Sequence, residues 1–297
     1  MNPDTLLPID NDQSSLSVLR DGAGIVLESK PFPHVVIQNA LPQALLDSLI
    51  ADFPLNEFQF DKNNKRHDIS VSSIDNFSNI SDEWKRFIHF HSSEYFFQQV
   101  MKLFKDHLPT DTAFQKIIDN PRIRVGKRGL NSFEECDILM DAQISINSPI
   151  TKKSSVRAIH VDHPNKLFSG LLYLRRPEDD SIGGDLHLCS WNNKYSDQQK
   201  LKFYKEGVSE SHITVEKEIK YAPNVCILFL NSLDALHAVT PRNSTDQVRT
   251  FVNLVGELPF DLYQKDNLVR YLTNQGRKFL SYCKKAAIKE LAKIFKS

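Results

Sequence analysis

The chain has 297 residues and a mass of 34.1 kDa, and its 37 basic and 37 acidic side chains give a formal net charge of +0. This balance argues against a chain-wide basic surface for nucleic acid or for an anionic membrane. Hydrophobic residues at 40% and charged residues at 25% are typical of a globular protein. The longest apolar run, at 225–230, is far shorter than the roughly 20 residues of a membrane span. We therefore expect neither a nucleic-acid partner nor a membrane partner.

The N-terminal residues and the cysteines favour a cytoplasmic protein. Asp4, Asp10 and Asp12 interrupt the first residues, where a signal peptide would have an apolar segment. The four cysteines are widely spaced, without a CxxC pair: Cys136, Cys189, Cys226 and Cys283. This spacing is typical of separate reduced thiols and argues against a disulfide framework or a zinc knuckle.

Residues 1–135 predict a supporting region of helices with one strand. The segment 32–37 has the composition of a short strand, and Pro42 begins a helical pattern. Polar and turn-forming residues dominate 54–80, which predicts a long surface excursion. Ser81 is placed to cap the next helix, and apolar residues at helical spacing continue to Phe104.

From about residue 136 the pattern changes to short β-rich runs separated by turn residues. The runs lie at 143–146, 156–161, 168–174, 185–189, 212–215, 225–230 and 249–255. Seven such runs in about 120 residues favour a sandwich or barrel over a parallel α/β sheet. The fold class predicted is therefore mainly β with flanking helices.

Helix formers return beyond Pro259 and continue to the end of the chain. We therefore predict a support region at 1–135, a β core at 136–258 and a C-terminal helical extension at 259–297. No Gly/Pro/Ser-rich linker separates these parts, which favours one catalytic unit. A homodimer contact through the aromatic-rich helices is an open alternative, and the lysine-rich C-terminal helix most simply docks on the domain.

Two histidines and one aspartate form the candidate metal site. His160 and Asp162 are two apart in a β-rich run, so their side chains point to the same face. His237 follows the apolar strand at 225–230 after a short turn. Two imidazoles and one carboxylate on one face are the donor set that holds non-haem Fe(II) and leaves positions for a chelating co-substrate and O₂.

Arg249 lies twelve residues after His237 on another predicted strand. A keto acid that chelates iron directs its distal carboxylate away from the metal. A guanidinium on a neighbouring strand binds such a carboxylate through two parallel hydrogen bonds. The spacing therefore points to Arg249 as the co-substrate anchor.

These motifs together resemble the 2-oxoglutarate/Fe(II)-dependent dioxygenases, in particular the prolyl-hydroxylase-like branch. The similar segments are HVDHPN at 160–165, LLYL at 171–174, GGDL at 183–186 and HAVTP at 237–241, followed by Arg249. The resemblance extends from about Asp141 to Glu257. It implies a double-stranded β-helix (jelly-roll) core, with an N-terminal helical layer and a C-terminal helical tail around it.

The resemblance also implies the chemistry. Iron would be held by His160, Asp162 and His237, and 2-oxoglutarate by Arg249 with the Tyr173 hydroxyl on the same carboxylate. Because the spacing from His237 to Arg249 is slightly long for this branch, Arg242 is a rival anchor. The reaction implied uses O₂ to hydroxylate an unactivated C–H bond with release of succinate and CO₂, and ascorbate would serve as reductant in vitro.

The prime substrate stays open at this stage between a prolyl peptide, a free amino acid or other small metabolite, and a sugar-like molecule. Selectivity is expected in three segments at the barrel mouth, 54–80, 147–157 and 190–211. The third carries aromatic side chains that would either stack on a substrate or pack as a lid: Trp191, Tyr195, Phe203 and Tyr204.

Several alternatives compete with this assignment. His163 is expected on the opposite strand face, and His187 is a weaker candidate for the third ligand. The basic cluster at 122–128 is either a solvated loop or a handle for an anionic substrate. The alternative for the whole protein is a catalytically silent jelly-roll module that binds a ligand without turnover.

Overall fold

The computed structural model describes residues 15–20 and 25–263. Its five α-helices are α1 Gln43–Ala51, α2 Asp82–His91, α3 Glu94–Leu103, α4 Thr112–Ile118 and α5 Asp197–Glu206. Its eleven strands are β1 Leu27–Glu28, β2 His34–Gln38, β3 Arg66–Ser70, β4 Val125–Lys127, β5 Ile138–Asn147, β6 Lys166–Tyr173, β7 Leu186–Trp191, β8 Ile213–Ile219, β9 Val225–Leu230, β10 Leu236–Val239 and β11 Arg249–Glu257. No helix in these two described ranges is both long and apolar enough to cross a membrane.

The strands form one large sheet and one small sheet. The larger sheet has the order β1-β2-β9-β6-β11-β5-β3, with β4 paired in parallel to β5. The smaller sheet has the order β10-β7-β8. The long strand β11 is antiparallel to both β5 and β6, so its side chains have neighbours on both sides.

Alternation along β11 gives the larger sheet two different faces. Val252 and Leu254 are fully buried in a hydrophobic cluster with Trp84 and Phe96 of the helices. The alternate residues Arg249, Phe251 and Asn253 point to the other face, where they line a cavity. On that face Phe251 packs with Leu186 and Leu188 of β7, so the two sheets share a second core.

Serine caps begin the two helices that pack on this sheet. The Ser81 hydroxyl accepts a hydrogen bond from the Trp84 N–H, as the sequence predicts for the start of α2. Ser93 accepts from the Phe96 N–H and starts α3 directly after α2 ends. The aromatic side chains on the buried faces of α2 and α3 thus reach the outer face of the larger sheet.

The structure confirms a β-rich α+β fold and corrects three details. The predicted excursion at 54–80 contains β3, because its Ile69 is buried against the sheet. The run 156–161 makes an isolated bridge between His160 and His237 and no regular strand. The basic segment at 122–128, for which a solvated loop and a handle for an anionic substrate were both open, contains β4. The division at 135 and 258 stays a prediction, and the C-terminal helical tail falls almost wholly outside the described residues.

Candidate functional site

A backbone bridge joins the two histidines. The His160 N–H donates to the His237 carbonyl at 3.0 Å, and the His237 N–H donates to the His160 carbonyl at 2.9 Å. His237 lies on β10, which pairs with β7 in the smaller sheet. The sequence did not predict β10 as a strand. Two antiparallel partners carry their side chains side by side, and the two imidazole centroids are 4.2 Å apart.

Both imidazoles are oriented by backbone carbonyls. Nδ1 of His160 is 2.8 Å from the Ala158 oxygen, and Nδ1 of His237 is 2.9 Å from the Ala235 oxygen. Because a carbonyl only accepts, each Nδ1 carries the proton and each Nε2 keeps a free lone pair. A carbonyl on the non-ligating nitrogen is a common arrangement for histidines that bind metals.

Asp162 completes the cluster. Its Oδ1 lies 3.9 Å from His160 Nε2, and the candidate ligand atoms of His160, Asp162 and His237 all lie within 4.8 Å of one another. The other oxygen, Oδ2, accepts a hydrogen bond from the Ser169 hydroxyl at 2.6 Å. The Lys166 ammonium donates to Oδ1 at 3.1 Å. Each carboxylate oxygen of Asp162 therefore accepts one hydrogen bond that fixes its position.

Burial and neighbouring charges set the protonation states of the cluster. Burial, together with the neighbouring His237, lowers the pKa of His160 to about 3, and burial also lowers the pKa of His237. Burial raises the pKa of Asp162, but Lys166, His237 and the Ser169 hydroxyl outweigh it and hold that pKa well below its usual range. At neutral pH the imidazoles are therefore neutral and the carboxylate is ionised, which are the forms that ligate a metal.

A cavity of about 570 Å³ contains the three side chains and reaches Arg249. The Arg249 guanidinium is 2% exposed, and its charge lies 4.7 Å from the centre of the Tyr173 ring. Its Nε donates to the Gly184 carbonyl at 3.1 Å, and Nη1 donates to the Asn147 side chain at 3.2 Å. Nη2 has no hydrogen-bond partner in the described part of the chain, and neither has the Tyr173 hydroxyl.

A side chain at position 184 would crowd Arg249. Gly184 has a φ of +83°, and a Cβ there would lie 3.2 Å from Arg249 Cδ. Both the backbone conformation and the close approach therefore require glycine. The GGDL segment is the sequence signal for this contact, and it positions the guanidinium at the base of the cavity.

The rival Arg242 is held by other parts of the chain. Its Nη1 donates to the Ser148 carbonyl at 3.1 Å, and its Nη2 donates to the Gln247 carbonyl at 2.6 Å. Arg242 does not line the cavity. Its position therefore indicates a structural role, in which it joins three loop segments.

The two other histidines considered lie outside the cluster. His187 Nε2 is 2.9 Å from the Glu218 carboxylate on β8, and His163 Nδ1 is 2.7 Å from the Asn165 side chain. Neither belongs to the metal-type cluster found among the described residues.

Two of the three predicted mouth segments contribute to the cavity. Asn64, Lys65 and Arg66 come from 54–80, and Arg157 comes from 147–157. The aromatic residues of 190–211 do not line the cavity. Instead Phe203 packs 5.8 Å from Trp191 and 5.1 Å from Tyr195, between ring centroids.

Sequence reasoning missed the polar residues on the inner face of the larger sheet. Gln143, Asn147 and Asn253 line the cavity, and Ser169 hydrogen-bonds Asp162. Strand register places all four on the same sheet face as Arg249: Asn147 pairs with Arg249, Gln143 with Asn253, and Ser169 with Val255. These polar residues on one face of the strands were a usable signal.

No protein-family model and no curated protein matches the chain. Solved structures similar to it include a prolyl 4-hydroxylase from Phytophthora capsici, at 14% identity and a TM-score of 0.43, covering 93% of this chain and 78% of that one. A Pseudomonas putida prolyl-4-hydroxylase is 13% identical, with a TM-score of 0.40 and coverage of 76% and 92%. The epimerase SnoN in complex with Fe³⁺, alpha ketoglutarate (2-oxoglutarate) and nogalamycin RO is 9% identical, with a TM-score of 0.39 and coverage of 76% and 79%. The sequence motifs resemble the same class of enzyme, and the similarity of these structures to the chain is one of fold, at TM-scores of 0.39 to 0.43.

Proposed function

We propose that the protein is an Fe(II)- and 2-oxoglutarate-dependent dioxygenase that hydroxylates an unactivated C–H bond and releases succinate and CO₂. The observation that carries the proposal is the convergence of His160, Asp162 and His237 within 4.8 Å in the cavity that also reaches Arg249. A jelly-roll description of the two sheets belongs to the same proposal.

The donor set fits Fe(II). Two neutral imidazoles and one carboxylate suit a borderline divalent ion, and they form the facial arrangement used by non-haem iron oxygenases. Ser169 and Lys166 orient the carboxylate of Asp162, while the backbone carbonyls orient the imidazoles. These contacts fix the three ligands before the metal binds.

The two unpaired donors fit the distal carboxylate of 2-oxoglutarate. Buried polar atoms without partners are rare, and Arg249 Nη2 and the Tyr173 hydroxyl are both of this kind. They belong to neighbouring strands, because Tyr173 pairs with Phe251 across β6 and β11. A carboxylate held there would satisfy both donors and neutralise the buried guanidinium.

The bound iron and co-substrate supply the oxidising chemistry, by oxidative decarboxylation of 2-oxoglutarate with O₂. The chain supplies orientation and a shielded site. Leu171, Phe229 and Phe251 form apolar parts of the wall between the metal ligands and Arg249. These side chains keep water away from the place where the co-substrate would lie.

The test is succinate formation by purified protein with Fe(II), 2-oxoglutarate, ascorbate and air. We expect slow succinate formation without a prime substrate, and its loss in His160→Ala. His187→Ala is the matched control, because this histidine lies outside the cluster and should leave the rate unchanged. Binding of Fe(II) and 2-oxoglutarate is measured on the same preparations.

Two results would contradict the proposal. Equal succinate formation by wild type and His160→Ala would show that the turnover does not depend on the proposed metal site. Absence of both metal binding and 2-oxoglutarate binding in the wild type would instead favour the silent ligand-binding module.

A further inference from the structure

The cavity is rich in cations although the whole chain is neutral. Beyond Arg249, five basic side chains line it: Lys65, Arg66, Arg128, Arg157 and Lys166. Beyond Asp162, only two carboxylates line it within the described ranges, Asp68 and Glu257. This excess of positive charge favours an anionic ligand in the cavity.

Most of these cations already have carboxylate partners. Arg66 Nε donates to Asp68 at 2.7 Å, and Arg128 Nη1 lies 3.3 Å from Glu257. Lys166 donates to Asp162. Lys65 and Arg157 make no ion pair with any described residue, so these two charges remain uncompensated at the mouth.

Arg157 is held beside the metal-type cluster. Its carbonyl accepts a hydrogen bond from the Val239 N–H at 3.1 Å and from the Ser155 hydroxyl at 2.9 Å. Val239 lies two residues after His237, and Arg157 lies three residues before His160. The backbone of Arg157 thus extends the bridge that joins the two histidines, and its guanidinium lines the mouth of their cavity.

The charge pattern of the cavity and the position of Arg157 point to one class of substrate. We propose that the prime substrate is a small molecule with an anionic group, a carboxylate or a phosphate, which Arg157 binds with support from Lys65. A guanidinium binds either group through paired hydrogen bonds. This inference rests on the proposed function, and it makes a neutral prolyl peptide the disfavoured alternative.

The test measures anion binding directly, with Arg249 already occupied. Protein carrying stoichiometric Zn(II), which has no redox chemistry, is saturated with 2-oxoglutarate. Inorganic phosphate is then titrated and followed by ³¹P NMR, and acetate is titrated and followed by saturation-transfer NMR. The two probes distinguish a phosphate site from a carboxylate site.

The variants are Arg157→Gln, Lys65→Gln and the control Lys153→Gln, an exposed lysine of the same loop that does not line the cavity. We expect saturable binding of at least one probe to the wild type, weakened about tenfold or more by Arg157→Gln and less by Lys65→Gln. Lys153→Gln should stay within about twofold of the wild type.

Absence of saturable binding of both probes, or equal affinity in wild type and Arg157→Gln, would overturn the inference. Neither result contradicts the proposed function. That function is tested first, by the binding of Zn(II) and 2-oxoglutarate to the same samples. If the wild type fails those prior steps, the proposed function fails first, and the inference that rests on it falls with it.

Discussion

At the scale of single residues, Tyr173 and Arg249 each bury one polar atom that no described residue satisfies. An unsatisfied buried donor costs about 1–3 kcal/mol. Burial also raises the pKa of Tyr173, with the charge of Arg249 opposing this, so the phenol stays protonated at neutral pH and is a donor. A carboxylate bound in the cavity would give both of these donors an acceptor.

Tyr173→Phe should consequently change stability and ligand affinity in opposite directions. We expect the free energy of unfolding of the ligand-free protein to rise by about 1 kcal/mol, because the unpaired hydroxyl is removed. The affinity for 2-oxoglutarate in the Zn(II)-loaded protein should fall about tenfold, because one hydrogen bond to a carboxylate is lost. Chemical denaturation and calorimetric titration measure the two quantities.

Two arginine variants provide the comparison. Arg249→Gln should weaken 2-oxoglutarate more than Tyr173→Phe does, whereas Arg242→Gln should lower stability because it removes bonds to Ser148 and Gln247. If Arg242→Gln lost affinity for 2-oxoglutarate and Arg249→Gln kept it, the co-substrate anchor would be Arg242 and not Arg249.

At the scale of elements, sequence periodicity was sufficient to predict the buried strands that have a neighbouring strand on each side. The apolar run at 225–230 is β9 as predicted, and the run at 249–255 lies within β11. Their composition is dictated by neighbours on both sides, so the pattern is clear. The edge strands β3 and β10 were missed, because only Ile69 of β3 is buried and because β10 has only four residues.

The same reasoning explains which site residues were predictable. His160, Asp162 and His237, which lie within 4.8 Å of one another, could be predicted as a group because a metal site needs rare residue types at a fixed spacing. The orienting groups on the imidazoles were not, because Ala158 and Ala235 act through carbonyl oxygens that every residue has. Arg157 was predicted only as part of the mouth segment 147–157, because its exact position depends on a bridge between segments distant in the chain.

Helix α2 contains a histidine whose protonation couples pH to stability. His91 is fully buried, its Nδ1 lies 2.9 Å from the Phe87 oxygen, and its Nε2 accepts from the Val18 N–H at 3.3 Å. Burial lowers the pKa of His91 to about 4, whereas an unfolded histidine titrates near its ordinary value of 6.5. The unfolded state therefore binds more protons between these two values, and stability falls as the pH falls.

His91→Gln should remove this dependence while it keeps polar atoms at the site. Between pH 7 and pH 4, the free energy of unfolding of the wild type should fall by about 3 kcal/mol more than that of the variant. Denaturation at a series of pH values measures the difference, in which the other histidines contribute equally to both proteins. Parallel pH curves for the two proteins would show that His91 titrates normally when folded.

At the scale of the whole molecule, the two sheets meet around the cavity, and the candidate ligands come from several distant segments. His237 is on the smaller sheet and Arg249 on the larger one, while His160 and Asp162 come from the connection between β5 and β6. Helices α1 to α4 pack in the hydrophobic cluster of the larger sheet, whereas Tyr204 of α5 packs against Cys189 and Leu236 of the smaller sheet. A metal and a co-substrate in the cavity would therefore join parts that the hydrophobic core of the helices does not hold together.

Ligand binding should accordingly stabilise the whole fold. At about 100 times the dissociation constant, a ligand that binds only the folded state adds about 2.7 kcal/mol, which for a chain of this size raises the melting temperature by roughly 4 °C. Thermal denaturation with Zn(II) and 2-oxoglutarate measures the shift in the wild type. His160→Ala should unfold cooperatively but show little shift with Zn(II), because a ligand is missing. An equal shift in both proteins would place the metal elsewhere, since the three side chains act as one site only when each contributes a bond.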